Sequence, residues 1–152
     1  MSVASDALMA STDSLTSIES LDLSWIRMKL TDHEEGRGWS DEYAGRVETE
    51  YRRYLTLARL HSSKPIVPSR EVDTFWHYHI LDTQAYAEDC ELVFGYFLHH
   101  FPYFGMRGDE DAAALGQAYD ETLALYEAEF GPPPEDLWPS AGMSRCPNCG
   151  RR

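Results

Sequence analysis

The chain contains 152 residues, of which 43% are hydrophobic and 12% aromatic, and this supports one domain whose core needs no disulfide framework. The 26 acidic residues outnumber the 13 Lys and Arg residues, and the formal net charge is −13 at pH 7. Because only two of the cations, Lys29 and Lys64, are lysines, the broad basic surface that binds nucleic acid is missing, and we exclude generic DNA or RNA binding.

The same composition predicts a soluble protein. No run approaches the roughly 18 apolar residues of a membrane span, and the first 20 residues contain neither a cation nor the apolar core of a leader peptide. The three cysteines (Cys90, Cys146 and Cys149) are an odd number, which favours a reducing compartment. We therefore expect a cytoplasmic protein with no membrane contact.

The first elements follow from local composition. Residues 1–17 are rich in Ser and Thr and predict a disordered tail, whereas the apolar residues of 18–30 predict a first helix and residues 31–39 a loop. Ser40 stands where an N-cap belongs, and Asp41 and Glu42 suit the positive end of a helix dipole. A buried helical face follows at spacings of three and four: Val47, Tyr51, Tyr54, Leu55 and Ala58.

Two prolines make residues 61–68 a connector, and Ser69 is the next N-cap candidate. Beyond it, a single apolar stripe predicts one long helix, or two helices nearly in line with a break near Asp82: Val72, Phe75, His79, Thr83, Tyr86, Cys90, Val93 and Phe97. A last helix begins at about Asp109 and ends at Gly131, before three prolines.

These elements predict an all-α fold, a single bundle of four to five helices. Residues 1–17 form its disordered tail, 18–131 the helical domain, and 132–152 a Pro-rich linker with a C-x-x-C tail. No segment alternates apolar and polar residues for long enough to predict a strand.

The candidate site lies between Arg70 and Arg107, an interval without a single Lys or Arg. It holds six carboxylates, four of the six histidines and ten of the 19 aromatic residues. Carboxylate and imidazole are the ligands that zinc and iron take in proteins, and polar groups at such density are costly to bury without partners. We therefore predict a divalent metal site between the WHYH helix and the LHH segment, with zinc or iron as the cofactor, and a metal-dependent enzyme as the function that such a site would serve.

Helical geometry selects the predicted ligands. His77 and His79 diverge by about 160° on a regular helix and cannot share one ion, whereas His79 and Asp82 lie on one face. A turn after the helix could bring His99 or His100 to that face, and the sequence does not choose between these two. Asp73 and His77, spaced i and i+4, form a second pair for acid–base catalysis or for orienting a ligand.

Structural explanations compete with this hypothesis. A histidine on an aromatic face is often a hydrogen-bonded core residue, and Asp82 suits the N-cap of a following helix. The aromatic stripe itself is more typical of a core than of a substrate platform.

The segments VDTFWHYHILDT (Val72 to Thr83) and FGYFLHHFPYFGMRG (Phe94 to Gly108) resemble the signature of the glycine-rich domain-containing protein-like family. The resemblance extends weakly to LTDHEEGRGW and implies a helical domain of unknown reaction, with these motif positions: Asp73, Trp76, His77, His79, Tyr86 and Asp89. Larger plant members carry a glycine-rich tail and an RNA-binding segment. This chain has only ten glycines, so RNA binding is not carried over.

Two further features lie near the end of the chain. Cys146 and Cys149 form a C-x-x-C motif, which supplies half of a tetrahedral zinc site or else is a pair of thiols without a metal. A thioredoxin-like redox role is less favoured, because that motif needs a strand before it and a helix after it. Nine acids and no cation lie between Asp109 and Asp136, which is typical of a solvated face. That surface supports the alternative function, an acidic adaptor that binds a protein partner while its His and aromatic residues are structural.

Overall fold

The computed structural model describes residues 17–140, and the regular secondary structure within them is helical. The predicted tail lies outside the described residues except for residue 17. Residues 17–20 are helical, and five longer helices follow: α1 (Ser24–Thr31), α2 (Asp41–Leu60), α3 (Arg70–Leu81), α4 (Thr83–Phe94) and α5 (Asp109–Phe130). The described part of the chain contains no β-strand, which confirms the all-α prediction.

The helix starts show which sequence signals act. The Ser40 hydroxyl accepts a hydrogen bond from the backbone N–H of Tyr43 at 3.1 Å, as predicted for the N-cap of α2. The predicted first helix is interrupted, because the Asp22 carboxylate accepts from the backbone N–H of Ser24 at 3.0 Å and α1 begins only there. Ser69 and Asp82 precede α3 and α4 but make no side-chain capping bond.

Helices α2 and α3 pack against each other at the centre of the molecule, and α1 packs against both of them. Helix α4 packs on α3, and α5 on α2. The predicted apolar stripe is buried along α3 and α4 except at Thr83 and Phe97. The chain bends at Asp82, which joins α3 to α4 with φ −83° and ψ 74°, and the predicted break near this residue is confirmed.

The packed unit continues past the prolines that end α5. Leu137 and Trp138, which the sequence analysis placed in the linker, are 2% and 0% exposed. The Trp138 indole donates to the buried Glu50 carboxylate at 3.0 Å. Arg46 fixes the same segment from outside through two hydrogen bonds to Asp136, at 2.7 and 3.0 Å.

Two loops complete the unit and matter for the site. Residues 61–69, called the connector below, join α2 to α3, and residues 95–108, called the aromatic loop, join α4 to α5. The aromatic loop exposes large apolar side chains, each 44–57% accessible: Tyr96, Phe97, Phe101, Tyr103 and Met106. None of the helices in residues 17–140 is both long and apolar enough to cross a membrane.

Candidate functional site

A cleft of about 310 Å³ lies between the connector and the aromatic loop, above α2 and α3. Its walls are mainly aromatic and aliphatic side chains, with a small set of polar groups among them: Tyr54, Ser62, Lys64, Asp73, Tyr96, His99 and His100. A mostly apolar concavity with a few polar groups is the usual form of a small-molecule site.

Asp73 and His100 form the central polar contact of this cleft. His100 Nε2 lies 2.7 Å from Asp73 Oδ1, and the two side chains are only 8% and 2% exposed. The His100 ring packs on Trp76 with 4.4 Å between centroids and meets the half-buried His77 ring edge-on at 5.6 Å. The bond to Asp73 fixes the orientation of the imidazole and leaves Nδ1 as its second polar atom.

Side chains from three helices hold the aromatic loop that carries His100. The Tyr86 hydroxyl, on α4, donates to the carbonyl oxygen of Leu98 and accepts from Trp76 Nε1 at 2.9 Å. At the other end of the loop, the Asp111 carboxylate of α5 accepts from the backbone N–H of Gly105 at 2.7 Å. Burial raises the pKa of Tyr86 far above its usual value of 10.0, so this hydroxyl keeps its proton.

A second buried imidazole, His79, belongs to the apolar stripe of α3. The Tyr51 hydroxyl lies 2.7 Å from His79 Nδ1, and Asp89 Oδ2 lies 2.8 Å from His79 Nε2. His79 is 2% exposed and Tyr51 is 0% exposed. Burial lowers the pKa of His79 below 6.5 and outweighs the opposing effect of Asp89, so a neutral ring bridges the hydroxyl and the carboxylate.

The predicted metal ligands lie in different surroundings in the structure. Both ring nitrogens of His79 have protein partners, Asp82 is exposed at the helix joint, and His99 is exposed at the cleft. His100 does fold back onto α3, but there it contacts Asp73. Within residues 17–140, no group of three or more His, Cys, Asp or Glu side chains is positioned to hold a metal ion.

The other predicted site residues are Asp73 and His77, the cysteines and the acids of α5. Asp73 was paired with His77 on helical spacing, whereas the structure brings His100 to its carboxylate and places His77 against the His100 ring. Cys146 and Cys149 lie outside the described residues, and the buried Cys90 is a free thiol. The acids of α5 are mostly exposed, and a protein partner for them stays a prediction.

Sequence reasoning missed the partners of both imidazoles. The sequence predicts Tyr51 and Tyr54 only as part of the buried face of α2, and it marks Asp89 only as a position of the family motif. His79 and Asp89 are ten residues apart, and their side chains would not meet on one straight helix. They are in contact because the chain bends at Asp82. The pairing of Asp73 with His100, 27 positions apart, depends on how the aromatic loop returns and leaves no local signal.

The fold and cleft define a small all-α domain with a carboxylate–imidazole pair in an apolar pocket. Residues 23–121 match the model of the UCP032817-like family, and the chain belongs to that family. It is 26% identical over 110 residues to glycine-rich domain-containing protein 1 of Arabidopsis thaliana. Both findings confirm the predicted family.

That alignment covers 70% of this chain but only 13% of the relative, so the chain spans a small part of that protein's length. No solved structure matches the chain. What the domain does must therefore be argued from its own residues.

Proposed function

We propose that the domain binds a small organic molecule in the cleft and that Asp73 and His100 act on it as a hydrogen-bonding and acid–base pair. The observation that carries this proposal is the 2.7 Å contact between two buried, titratable side chains in the wall of a mostly apolar cleft. Polar pairs at such positions fix the orientation of a ligand, and imidazole is the commonest proton-transfer group in enzymes.

The roles follow from the geometry. When His100 Nε2 donates to the Asp73 carboxylate, the neutral ring presents Nδ1 as an acceptor that can remove a proton from a ligand. Asp73 stabilises the imidazolium that results. The apolar walls exclude water and strengthen these interactions.

A probe titration tests whether the cleft binds a small molecule, and a substitution that fills the cleft provides the control. In ¹H–¹⁵N NMR titrations, neutral 2-naphthalenemethanol should shift the indole signal of Trp76, which lines the cleft. Leu115→Trp should abolish that shift because Leu115 lines the same space. Leu125→Trp, which changes a half-buried leucine elsewhere on α5, should preserve it. Binding that survives the Leu115 substitution would show that the probe occupies another place.

The tautomer of His100 tests the acid–base role. In the neutral form of the His100 ring, imidazole ¹⁵N shifts should show the proton on Nε2 and none on Nδ1, and Asp73→Asn should change this distribution. His33→Gln, at an exposed histidine outside the cleft, provides the matched control. A neutral His100 ring that carries its proton on Nδ1 in the wild-type protein would contradict the role of His100 as a base.

A further inference from the structure

Tyr54 differs from the other buried tyrosines of the described chain. Four of these hydroxyls make hydrogen bonds to a side chain or a carbonyl group: Tyr51, Tyr86, Tyr119 and Tyr126. Tyr54 is 2% exposed, yet its hydroxyl makes no hydrogen bond to any residue in 17–140. Buried hydroxyls nearly always have a hydrogen-bond partner, so a buried hydroxyl without one in the protein requires an explanation.

The position of Tyr54 supplies that explanation. Its ring lines the cleft and packs on Trp76 at 5.2 Å. Two side-chain atoms of the described residues are sealed from solvent and make no hydrogen bond: Arg59 Nε and Ser69 Oγ. The Tyr54 oxygen is not one of them, so it keeps some contact with solvent. The hydroxyl therefore opens onto the cleft. Burial, with a contribution from Asp73, raises its pKa well above 10.0, so it stays protonated and can donate.

Lys64 supplies the only Lys or Arg side chain among the residues that line the cleft. Its ammonium group makes no ion pair with any side chain of the described residues, although the protein carries a net charge of −13. Charges more than about 8 Å away are largely screened at physiological ionic strength. An anion at the cleft therefore responds mainly to two charges of the lining: the Lys64 ammonium group, which attracts it, and the Asp73 carboxylate, whose Oδ1 already accepts from His100.

The polar groups of the cleft thus favour an acceptor. The Asp73 carboxylate already accepts from His100, while the buried Tyr54 hydroxyl and the exposed Lys64 ammonium group are donors that make no side-chain hydrogen bond within residues 17–140. We infer that the ligand is a small, flat carboxylate whose oxygen atoms accept from Tyr54 and Lys64 while its apolar body lies against Trp76. This inference rests on the proposed function and names the class of ligand that the cleft takes.

Two probes that share a ring system and differ at one end test the inference: 2-naphthoate and 2-naphthalenemethanol. Binding is measured by NMR titration of the full chain, with the Trp76 indole signal as the reporter of the cleft. We expect 2-naphthoate to bind at least about fivefold more tightly, because charge-assisted hydrogen bonds are stronger than neutral ones.

The variants assign the donors. Tyr54→Phe and Lys64→Met should each weaken 2-naphthoate binding by roughly three- to tenfold and change 2-naphthalenemethanol binding by less than about twofold. The matched controls, Tyr78→Phe and Lys29→Met, alter a Tyr and a Lys that line a different pocket, of about 260 Å³, beside Trp25. These controls should leave both affinities unchanged.

The outcomes separate the two proposals. If 2-naphthalenemethanol shifts Trp76 and binds as tightly as 2-naphthoate, the carboxylate inference fails and the proposed cleft function stands. If 2-naphthoate affinity survives both Tyr54→Phe and Lys64→Met, the assignment of donors is wrong. If neither probe shifts Trp76, or if both shift only Trp25, the cleft function and the ligand class fail together.

Discussion

Replacing Tyr51 with Phe removes one oxygen atom from the centre of the core and leaves the ring that packs on Phe75, 4.9 Å away, in place. The lost hydroxyl lies 2.7 Å from Nδ1 of His79, and both side chains are at most 2% exposed. Water cannot take over the bond without opening the helix pair α2 and α3. The substitution therefore strands a buried imidazole nitrogen.

The expected cost follows from that geometry. A buried polar atom that loses its partner costs about 1–3 kcal/mol, whereas a hydroxyl that makes no bond contributes little. Tyr54, one helical turn further along α2, provides the matched control because it is equally buried and makes no hydrogen bond with the described residues. We expect Tyr51→Phe to lower the free energy of unfolding by about 1–3 kcal/mol, and Tyr54→Phe to change it by less than about 0.5 kcal/mol.

Urea denaturation at pH 7.5, followed by tryptophan fluorescence and by circular dichroism, measures both values. The midpoint for Tyr51→Phe should fall at an unchanged m-value, because the surface exposed on unfolding is the same. Adding His79→Phe to Tyr51→Phe should recover part of the loss, since the stranded nitrogen is then absent. Equal losses for Tyr51→Phe and Tyr54→Phe, or no loss for Tyr51→Phe, would refute the reasoning.

Three further predictions follow from the buried polar groups and from the cysteines. Burial lowers the pKa of His79 below 6.5, so below about pH 6.5 the unfolded state binds a proton that the folded state does not. The free energy of unfolding should therefore fall as the pH drops below about 6.5. Denaturation midpoints measured across this pH range should show no such fall in His79→Phe. Glu50→Ala removes the carboxylate that accepts three hydrogen bonds at 2.6 to 3.3 Å, and it leaves the buried Tyr126 hydroxyl and Trp138 indole without their acceptor. The two stranded donors should cost about 2–5 kcal/mol in denaturant titrations, and Glu50→Gln, which keeps an acceptor oxygen, should cost less. If the C-x-x-C binds zinc, elemental analysis of untagged protein should find it, and Cys146→Ser with Cys149→Ser should remove it while His79→Gln does not; a zinc content that depends on His79 instead would move the site to α3.

Helix positions could be predicted because they depend on neighbouring residues. The Ser40 cap, the break at Asp82 and the end at Gly131 all come from signals within a few positions of the boundary. The first helix was predicted too long, because an Asp22 side chain that bonds the backbone of Ser24 starts the helix within an apolar segment.

The site could be predicted only in part. Composition correctly marked the interval that contains Asp73, His79 and His100 as rich in polar groups that need partners. It could not assign the partners, because each pairing depends on the bend at Asp82 or on the return of the aromatic loop. Tyr54 lies outside that interval, and only the cleft distinguishes its hydroxyl from those of the other buried tyrosines.

The burial of Trp138 against Glu50 has a practical consequence for anyone who cuts or fuses this domain. The family match ends at residue 121, within α5, and a fragment trimmed to that limit would lose the last turns of the helix as well as the indole that closes the core. A junction placed directly after Gly131 would keep the helix but remove Trp138, and a cavity would replace the indole that donates to the Glu50 carboxylate. Recombinant versions should therefore extend to at least Ser140 if they are to represent the native fold.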